Sequence, residues 1–193
     1  VGRGPGMLPL VAIAVALMLS ACTPLMVQQA GAPPSGFQGP RLEQDAFVSF
    51  DGARLGLSRW EARGDPQAVV VALHGMNDYA NAFHLAAPYW ARNGVTTYAF
   101  DQRGFGRSPN RGIWGGDELM INDLRTMVSV VRMRHPGVPL IVAGESMGGA
   151  VAIEAFASDV PPDADRLILM APAVWGWSNQ PLPYKTMLWL ASR

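Results

Sequence analysis

Cysteine is nearly absent, with Cys22 the only one among 193 residues. That excludes a disulfide framework within the chain and any cysteine-rich zinc cluster. Net charge is absent too, because 15 Lys and Arg balance 15 Asp and Glu. The balance leaves no basic footprint for nucleic acid and no acidic interaction tail. Histidine is scarce: His74, His84 and His135 are the whole set, and none stands at metal-ligand spacing from another. Neither H-E-x-x-H nor G-x-x-x-x-G-K-[ST] occurs, so zincin and phosphate-loop chemistry have no support. A membrane-spanning run is missing, since the apolar stretch 7–21 falls short of the roughly 20 residues a helix needs. What is present, 49% apolar and 16% charged residues with 21 Gly and 16 Pro in no triplet period, describes one folded domain. Collagen and disorder are excluded.

The amino-terminal stretch has its own organisation. Arg3 precedes the apolar run 7–21, which ends in small residues, the layout of an export signal. Leu19-Ser20-Ala21-Cys22 resembles the lipobox of bacterial lipoproteins. This resemblance implies cleavage before Cys22, lipidation of that cysteine and anchoring to a membrane by several acyl chains. Thr23, which is not aspartate, is similar to the class sorted to the outer membrane, facing the periplasm where a source has two membranes. Gln28, Gln29, Pro33, Pro34, Gly36, Gly39 and Pro40 then read as a flexible tether. The expected division is a signal peptide at 1–21, lipidated cysteine and tether at 22–45, a folded core at 46–172 and a further segment at 173–193.

Within the core, strand-like and helix-like patterns alternate. Segments 46–50 and 53–60 flank Asp51-Gly52 and predict a hairpin. The runs 68–73, 95–100, 139–144 and 166–170 are predominantly apolar, as strands buried on both faces are. A helix is expected over 82–93, ended by Gly94. Over 117–135, Met120, Leu124, Met127, Val128 and Val131 fall on one helical stripe. Another helix is expected over 147–157. Apolar strands separated by helices predict an α/β fold, with a mostly parallel sheet flanked by helices.

Gly144-Glu145-Ser146-Met147-Gly148-Gly149 fits G-x-S-x-G. The apolar strand Leu140-Ile141-Val142-Ala143 runs straight into it and a helix pattern leaves it, the setting of a nucleophile elbow. A sharp strand-to-helix turn exposes Ser146 Oγ and requires small neighbours, which Gly144, Gly148 and Gly149 supply. A nucleophilic serine generates an oxyanion that needs preorganised donors. The backbone N–H of Met147, at a helix start, is the first candidate. Met76 in His74-Gly75-Met76, the loop after the first apolar strand, supplies the second, and Gly75 permits close approach. His74 is read as bracing that loop and not as a general base, because the template for this fold places the catalytic histidine after the serine. In Asp101-Gln102-Arg103-Gly104-Phe105-Gly106-Arg107-Ser108 the third glycine of a dinucleotide fingerprint would fall at Pro109. A tight turn beside the active site is expected there instead. His84 and His135 are read as surface or packing residues.

These three motifs, in this order and spacing, resemble the α/β-hydrolase superfamily, and within it the monoacylglycerol lipase and lysophospholipase group, labelled serine aminopeptidase-like. The resemblance covers 46–193. It implies carboxylic ester hydrolysis through an acyl-enzyme on Ser146, with a lipid or small ester as substrate and no metal or organic cofactor. It also implies that the stretch after Ala171-Pro172-Ala173 begins a cap. There Tyr184, Met187, Leu188 and Ala191, with Trp175, Trp177 and Trp189 nearby, either line an acyl pocket, face lipid or form the cap's own core. The superfamily's order is serine, acid, histidine. After Ser146 comes no histidine, and Glu154, Asp159, Asp163 and Asp165 are not placed for the acid's role. The expectation is therefore the first part of a longer hydrolase, truncated at the start of the cap and inactive as written. Its sheet edge would be exposed. The other reading is a catalytically inactive, membrane-tethered lipoprotein module with a partial hydrolase fold.

Overall fold

A computed structural model describes residues 26–174 and 180–191, apart from the side chains of Leu188 and Ala191. The expected signal, Cys22, Trp175 and Trp177 lie outside the described residues. The chain forms two units, Val27–Val174 and a second made of Val1–Met26 with Trp175–Arg193.

Three short strands open the first unit: β1 (Arg41–Leu42), β2 (Ala46–Val48) and β3 (Arg54–Trp60). β2 and β3 pair antiparallel across Gly52, whose φ of +81° suits glycine. β4 (Ala68–Leu73) follows, then a 3₁₀ turn at Ala80–Phe83, helix α1 (Ala86–Arg92) and β5 (Val95–Phe100). The single helix expected over 82–93 is thus split. Pro88 has no N–H to donate four residues back, so it is tolerated only in a first turn, and the helix begins at Ala86. Helix α2 (Asp117–Arg134), β6 (Leu140–Glu145), α3 (Met147–Ala157) and β7 (Arg166–Met170) complete the unit.

The sheet order is β1-β2-β3-β5-β4-β6-β7, with β5, β4, β6 and β7 parallel. The period of two along a strand decides which residues meet which helices. Val69, Val71 and Leu73 of β4 join Met120, Leu124, Met127, Val128 and Val131 of α2 and Val151, Ala152 and Ala155 of α3. Val70 and Ala72 face the other way, toward Ala80, Phe83 and Ala87. Both faces of the central strands are therefore covered, as their apolar sequences require. The expected fold class and the α2 stripe match this arrangement. β7 is the outer strand beyond β6, and its Ile168 is 47% exposed.

The segment expected to be a flexible tether is, in its described part, ordered chain docked on the sheet. The Gln28 N–H donates to the Trp114 carbonyl at 2.8 Å and its Nε2 to the Ile113 carbonyl at 2.7 Å. The Gly31 N–H donates to Asp51 at 3.1 Å, and β1 pairs with β2. The Gly and Pro that suggested flexibility make turns instead, with Gly36 and Gly39 at φ of +79° and +90°. The folded unit thus begins at Val27 and not at Ala46.

In the second unit, α4 (Leu182–Ala191) is the described element. Tyr184 and Met187 are three residues apart and share a face of it. No described helix is long and apolar enough to cross a membrane.

Candidate active site

β5 lies on one side of β4 and β6 on the other, so the chain leaves neighbouring strand ends in opposite directions. A crevice forms at the carboxyl ends of the strands. Register places the contents of that crevice. Leu73, the last residue of β4, is level with Gly144, and Ala72 with Ala99. The segments beginning at His74, Asp101 and Ser146 therefore emerge side by side.

Ser146 occupies the turn between β6 and α3 with φ +49° and ψ −113°, a left-handed conformation that costs a non-glycine residue about 1–3 kcal/mol. Surrounding bonds hold it there. Its N–H donates to the Met170 carbonyl at 2.9 Å, and its carbonyl accepts from Ala150 at 3.1 Å and Ala173 at 2.9 Å. Among the described residues, Ser146 Oγ has no hydrogen-bond partner.

The glycines around it are dictated by contact. A Cβ on Gly144 would sit 2.5 Å from the Gly148 carbonyl oxygen, and one on Gly148 would sit 2.5 Å from the Leu73 carbonyl oxygen. At Gly149 it would meet Pro172 at 2.9 Å, and at Gly75 it would meet Ser146 Cβ at 3.3 Å. Helix α3 thus crosses β4 and β6 at a distance only hydrogen permits. Gly148→Ala is expected to cost about 3 kcal/mol, the upper end of the usual overpacking range, because the opposing atoms are strand backbone. Urea unfolding of the purified chain checks this. A loss below about 0.5 kcal/mol, a surface-like effect, would contradict it.

Two backbone donors are expected to face the oxyanion. The Met147 N–H is at the first position of α3, where helix amides have no internal acceptor. The Met76 N–H belongs to the loop packed on Ser146 through Gly75. Among the described residues neither amide has an acceptor. The Met147 side chain is buried, whereas that of Met76 is 53% exposed. Met76 also lines a cavity of about 390 Å³ with Asn77, Tyr79, Phe105, Arg111 and Trp114, which Ser146 does not line.

His74 is fully buried. Its Nε2 accepts from the Gln102 N–H at 2.9 Å, and its Nδ1 lies 2.8 Å from the Gly75 carbonyl oxygen. The Gln102 side chain in turn donates to the His74 carbonyl at 2.7 Å. Burial holds the His74 imidazole below its ordinary pKa, against the opposing pull of the Gly75 hydrogen bond, Asp101, Asp78 and Glu145. Neither ring nitrogen is available to Ser146. His84 engages the Asn81 carbonyl at 2.9 Å, and His135 engages the Tyr98 hydroxyl at 2.9 Å.

The acids that follow Ser146 are equally distant in role. Asp165 accepts from the N–H of Leu140, the first residue of β6, at 2.6 Å, so it lies at the opposite end of that strand from Ser146. Asp163 pairs with Arg132 at 3.5 Å. Glu154 lies within α3, and burial raises its pKa with help from Asp117. Among the described residues no group of three or more potential ligands could hold a metal ion.

The Asp101–Ser108 loop is fixed by buried charge. The Asp101 carboxylate accepts from the Ala80 N–H at 2.7 Å and from the Arg107 N–H at 2.8 Å and its Nε at 3.1 Å. Arg103 lies between two carboxylates. It donates to Asp123 at 2.7 and 2.9 Å and to Asp51 at 2.9 and 2.9 Å, and Ser49 adds a bond to Asp123 at 2.5 Å. Burial opposes ionisation of Asp51, but Arg103 holds its pKa below the ordinary value. At Asp123, more deeply enclosed, burial outweighs the same arginine and pushes the value up. Sequence reading missed this network and Gln102. The available signal was Asp123, an acid among the apolar residues of the α2 stripe.

Comparison with known proteins places this geometry. The family profile described as serine aminopeptidase, S33, matches residues 64–193. The monoacylglycerol lipase of Mycolicibacterium smegmatis is 33% identical over 132 residues, which are 68% of this chain and 47% of that protein. The monoglyceride lipase of Rattus norvegicus is 30% identical over 136 residues, 70% of this chain and 45% of that protein. A crystal structure of a soluble variant of the Saccharomyces cerevisiae monoglyceride lipase, in complex with a substrate analog, superposes with a TM-score of 0.58 at 25% identity. That alignment covers 74% of this chain and 48% of the yeast protein. The chain thus spans slightly under half the length of these relatives.

Proposed function

The chain belongs to the serine aminopeptidase-like (S33) family of α/β hydrolases, and from that premise we propose that it is the nucleophile-bearing part of a serine hydrolase. The substrates are carboxylic esters of lipids, of the monoacylglycerol or lysophospholipid type. The observation that carries the proposal is Ser146 held at positive φ at the start of α3, followed by the Met147 amide and packed against Gly75, which precedes the Met76 amide; among the described residues neither amide has an acceptor. The names of the relatives support ester hydrolysis over peptide hydrolysis.

In this reading Ser146 Oγ attacks the ester carbonyl carbon while its proton passes to a histidine. The carbonyl oxygen becomes an oxyanion facing the Met147 and Met76 N–H groups. The C–O bond to the alcohol breaks, the alcohol leaves with the proton, and water hydrolyses the acyl-serine by the same steps. The three histidines of this chain are engaged elsewhere, so the proposal takes the base and its acid from outside these 193 residues. It applies to a parent polypeptide that carries them. Lipidation of Cys22 and attachment to a membrane, the outer membrane where two exist, belong to the same proposal.

The reading as a catalytically inactive, tethered module is favoured by one observation, that His74, His84 and His135 all bond to partners other than Ser146. A substrate comparison on the parent polypeptide, extracted from its own membranes, decides between them. Hydrolysis of p-nitrophenyl acyl esters with aminoacyl anilides left intact is the expected result. Anilide cleavage without ester cleavage, or inertness toward both, would overturn it.

A further inference from the structure

The bonds around His74 carry an inference about how the second oxyanion donor is aimed. It rests on the nucleophile assignment above and concerns a side chain that touches no substrate. We infer that His74, locked by Gln102 in a single tautomer, is a positioning residue that clamps the Gly75–Met76 peptide so that its N–H is presented to the oxyanion.

The steps are local. The Gln102 backbone N–H can only donate, so His74 Nε2, 2.9 Å away, must be the unprotonated nitrogen. The ring proton is then on Nδ1, and it is donated to the Gly75 carbonyl oxygen at 2.8 Å. In a trans peptide the carbonyl and the following N–H point in opposite directions. Fixing the Gly75 carbonyl on the ring therefore turns the Met76 N–H away from His74, and Ser146 packs against this same Gly75. The Asp78 N–H also reaches the Gly75 carbonyl, but at 3.3 Å, so the shorter bond is the one from the ring. The Gln102 side chain holds the His74 carbonyl at 2.7 Å and fixes the other end of the clamp.

The clamp requires a neutral ring, because a proton on Nε2 would oppose the Gln102 N–H. The charged groups facing His74 are Asp101, Asp78 and Glu145, all of which favour protonation. Burial opposes them and prevails.

Two experiments test the clamp. In the 193-residue chain, long-range proton–nitrogen NMR of His74 is expected to show a protonated Nδ1 and a bare Nε2. The signals should not move on acidification to about pH 5, well below the ordinary histidine value of about 6.5. The opposite tautomer, or titration near that ordinary value, would overturn the inference whatever Ser146 does.

In the parent polypeptide, His74→Leu fills the site without a donor, whereas His74→Asn keeps an N–H near the place of Nδ1. The leucine variant is expected to lose about 100- to 1,000-fold in kcat with KM little changed, the effect of removing one oxyanion donor. The asparagine variant should stay within about tenfold of the unaltered protein, a smaller loss than that of one donor. A folded His74→Leu protein with undiminished kcat would overturn the clamp while Ser146→Ala remained inert. Full activity in Ser146→Ala would instead remove the nucleophile assignment on which the clamp depends.

Discussion

Ser146→Ala is expected to lower kcat for a short acyl ester by about a million-fold in the parent polypeptide, the size of effect seen when a serine nucleophile is deleted. The fold should be retained, because among the described residues Ser146 Oγ makes no hydrogen bond that alanine would forfeit. The bonds that hold residue 146 run through its backbone, to Met170, Ala150 and Ala173, and they survive the substitution. A residual rate about 1,000- to 10,000-fold above water is expected from the Met147 and Met76 amides and from binding alone. Rates measured with the substrate both scarce and saturating separate the two contributions. Loss of kcat together with an unchanged unfolding midpoint identifies a chemical role. A variant that hydrolyses ester at the unaltered rate would mean that another residue is the nucleophile.

Arg103→Met is expected to cost about 3–5 kcal/mol of folding stability, the range for removing one partner of a buried ion pair. Arg103 is 3% exposed, Asp51 is 6% and Asp123 is 1%. Each carboxylate takes two of the arginine's N–H bonds. Taking the cation away strands two negative charges in a site that water does not reach. The damage should extend beyond stability, because the three residues belong to different elements. Asp51 is in the β2–β3 turn, Asp123 is on α2, and Arg103 is in the loop that starts level with His74. Gln102, its immediate neighbour, holds the His74 ring. Urea unfolding of the 193-residue chain gives the stability. A loss below about 1 kcal/mol would show that the carboxylates find other partners or take up protons at little cost.

Sequence reading recovered the parts of the fold that follow from local rules. The apolar runs that became β4, β5 and β6 had to be buried on both faces, and the α2 stripe had to be buried on one; β7, read in the same way, is the outer strand and is partly exposed. Ser146 was legible because an apolar strand, three small residues and a helix pattern coincide there. Pairing across long sequence distances was not legible. Gln28 meets Ile113, Arg103 meets Asp51, and Gln102 meets His74, contacts that no periodicity encodes. The same reason explains the tether. Gly36, Gly39 and the neighbouring prolines are equally suited to a loose linker or to fixed turns, and only docking partners such as the Trp114 and Ile113 carbonyls decide between them. The helix expected over 82–93 was broken by Pro88, a rule visible in the sequence but outweighed there by the apolar pattern.

The sequence reads His74 as a residue that braces its loop, and its ring nitrogens engage the Gly75 carbonyl and the Gln102 amide. Its two ring bonds make it a structural clamp, and burial keeps it in the form that clamping needs. The same reasoning applies to the acids after Ser146. Asp165 is used at the far end of β6, holding the Leu140 amide and Arg132.

The central claim is that Ser146 is an activated nucleophile, and covalent capture tests it most directly. The native protein in an extract of its source is treated with a fluorophosphonate probe, digested, and the modified peptide is mapped by mass spectrometry. The account predicts a single adduct on Ser146, in a species heavier than the 20.7 kDa of this chain, with labelling suppressed by monoacylglycerol. An adduct on a different serine, or a folded native protein of this chain's mass that takes up no probe, would contradict it.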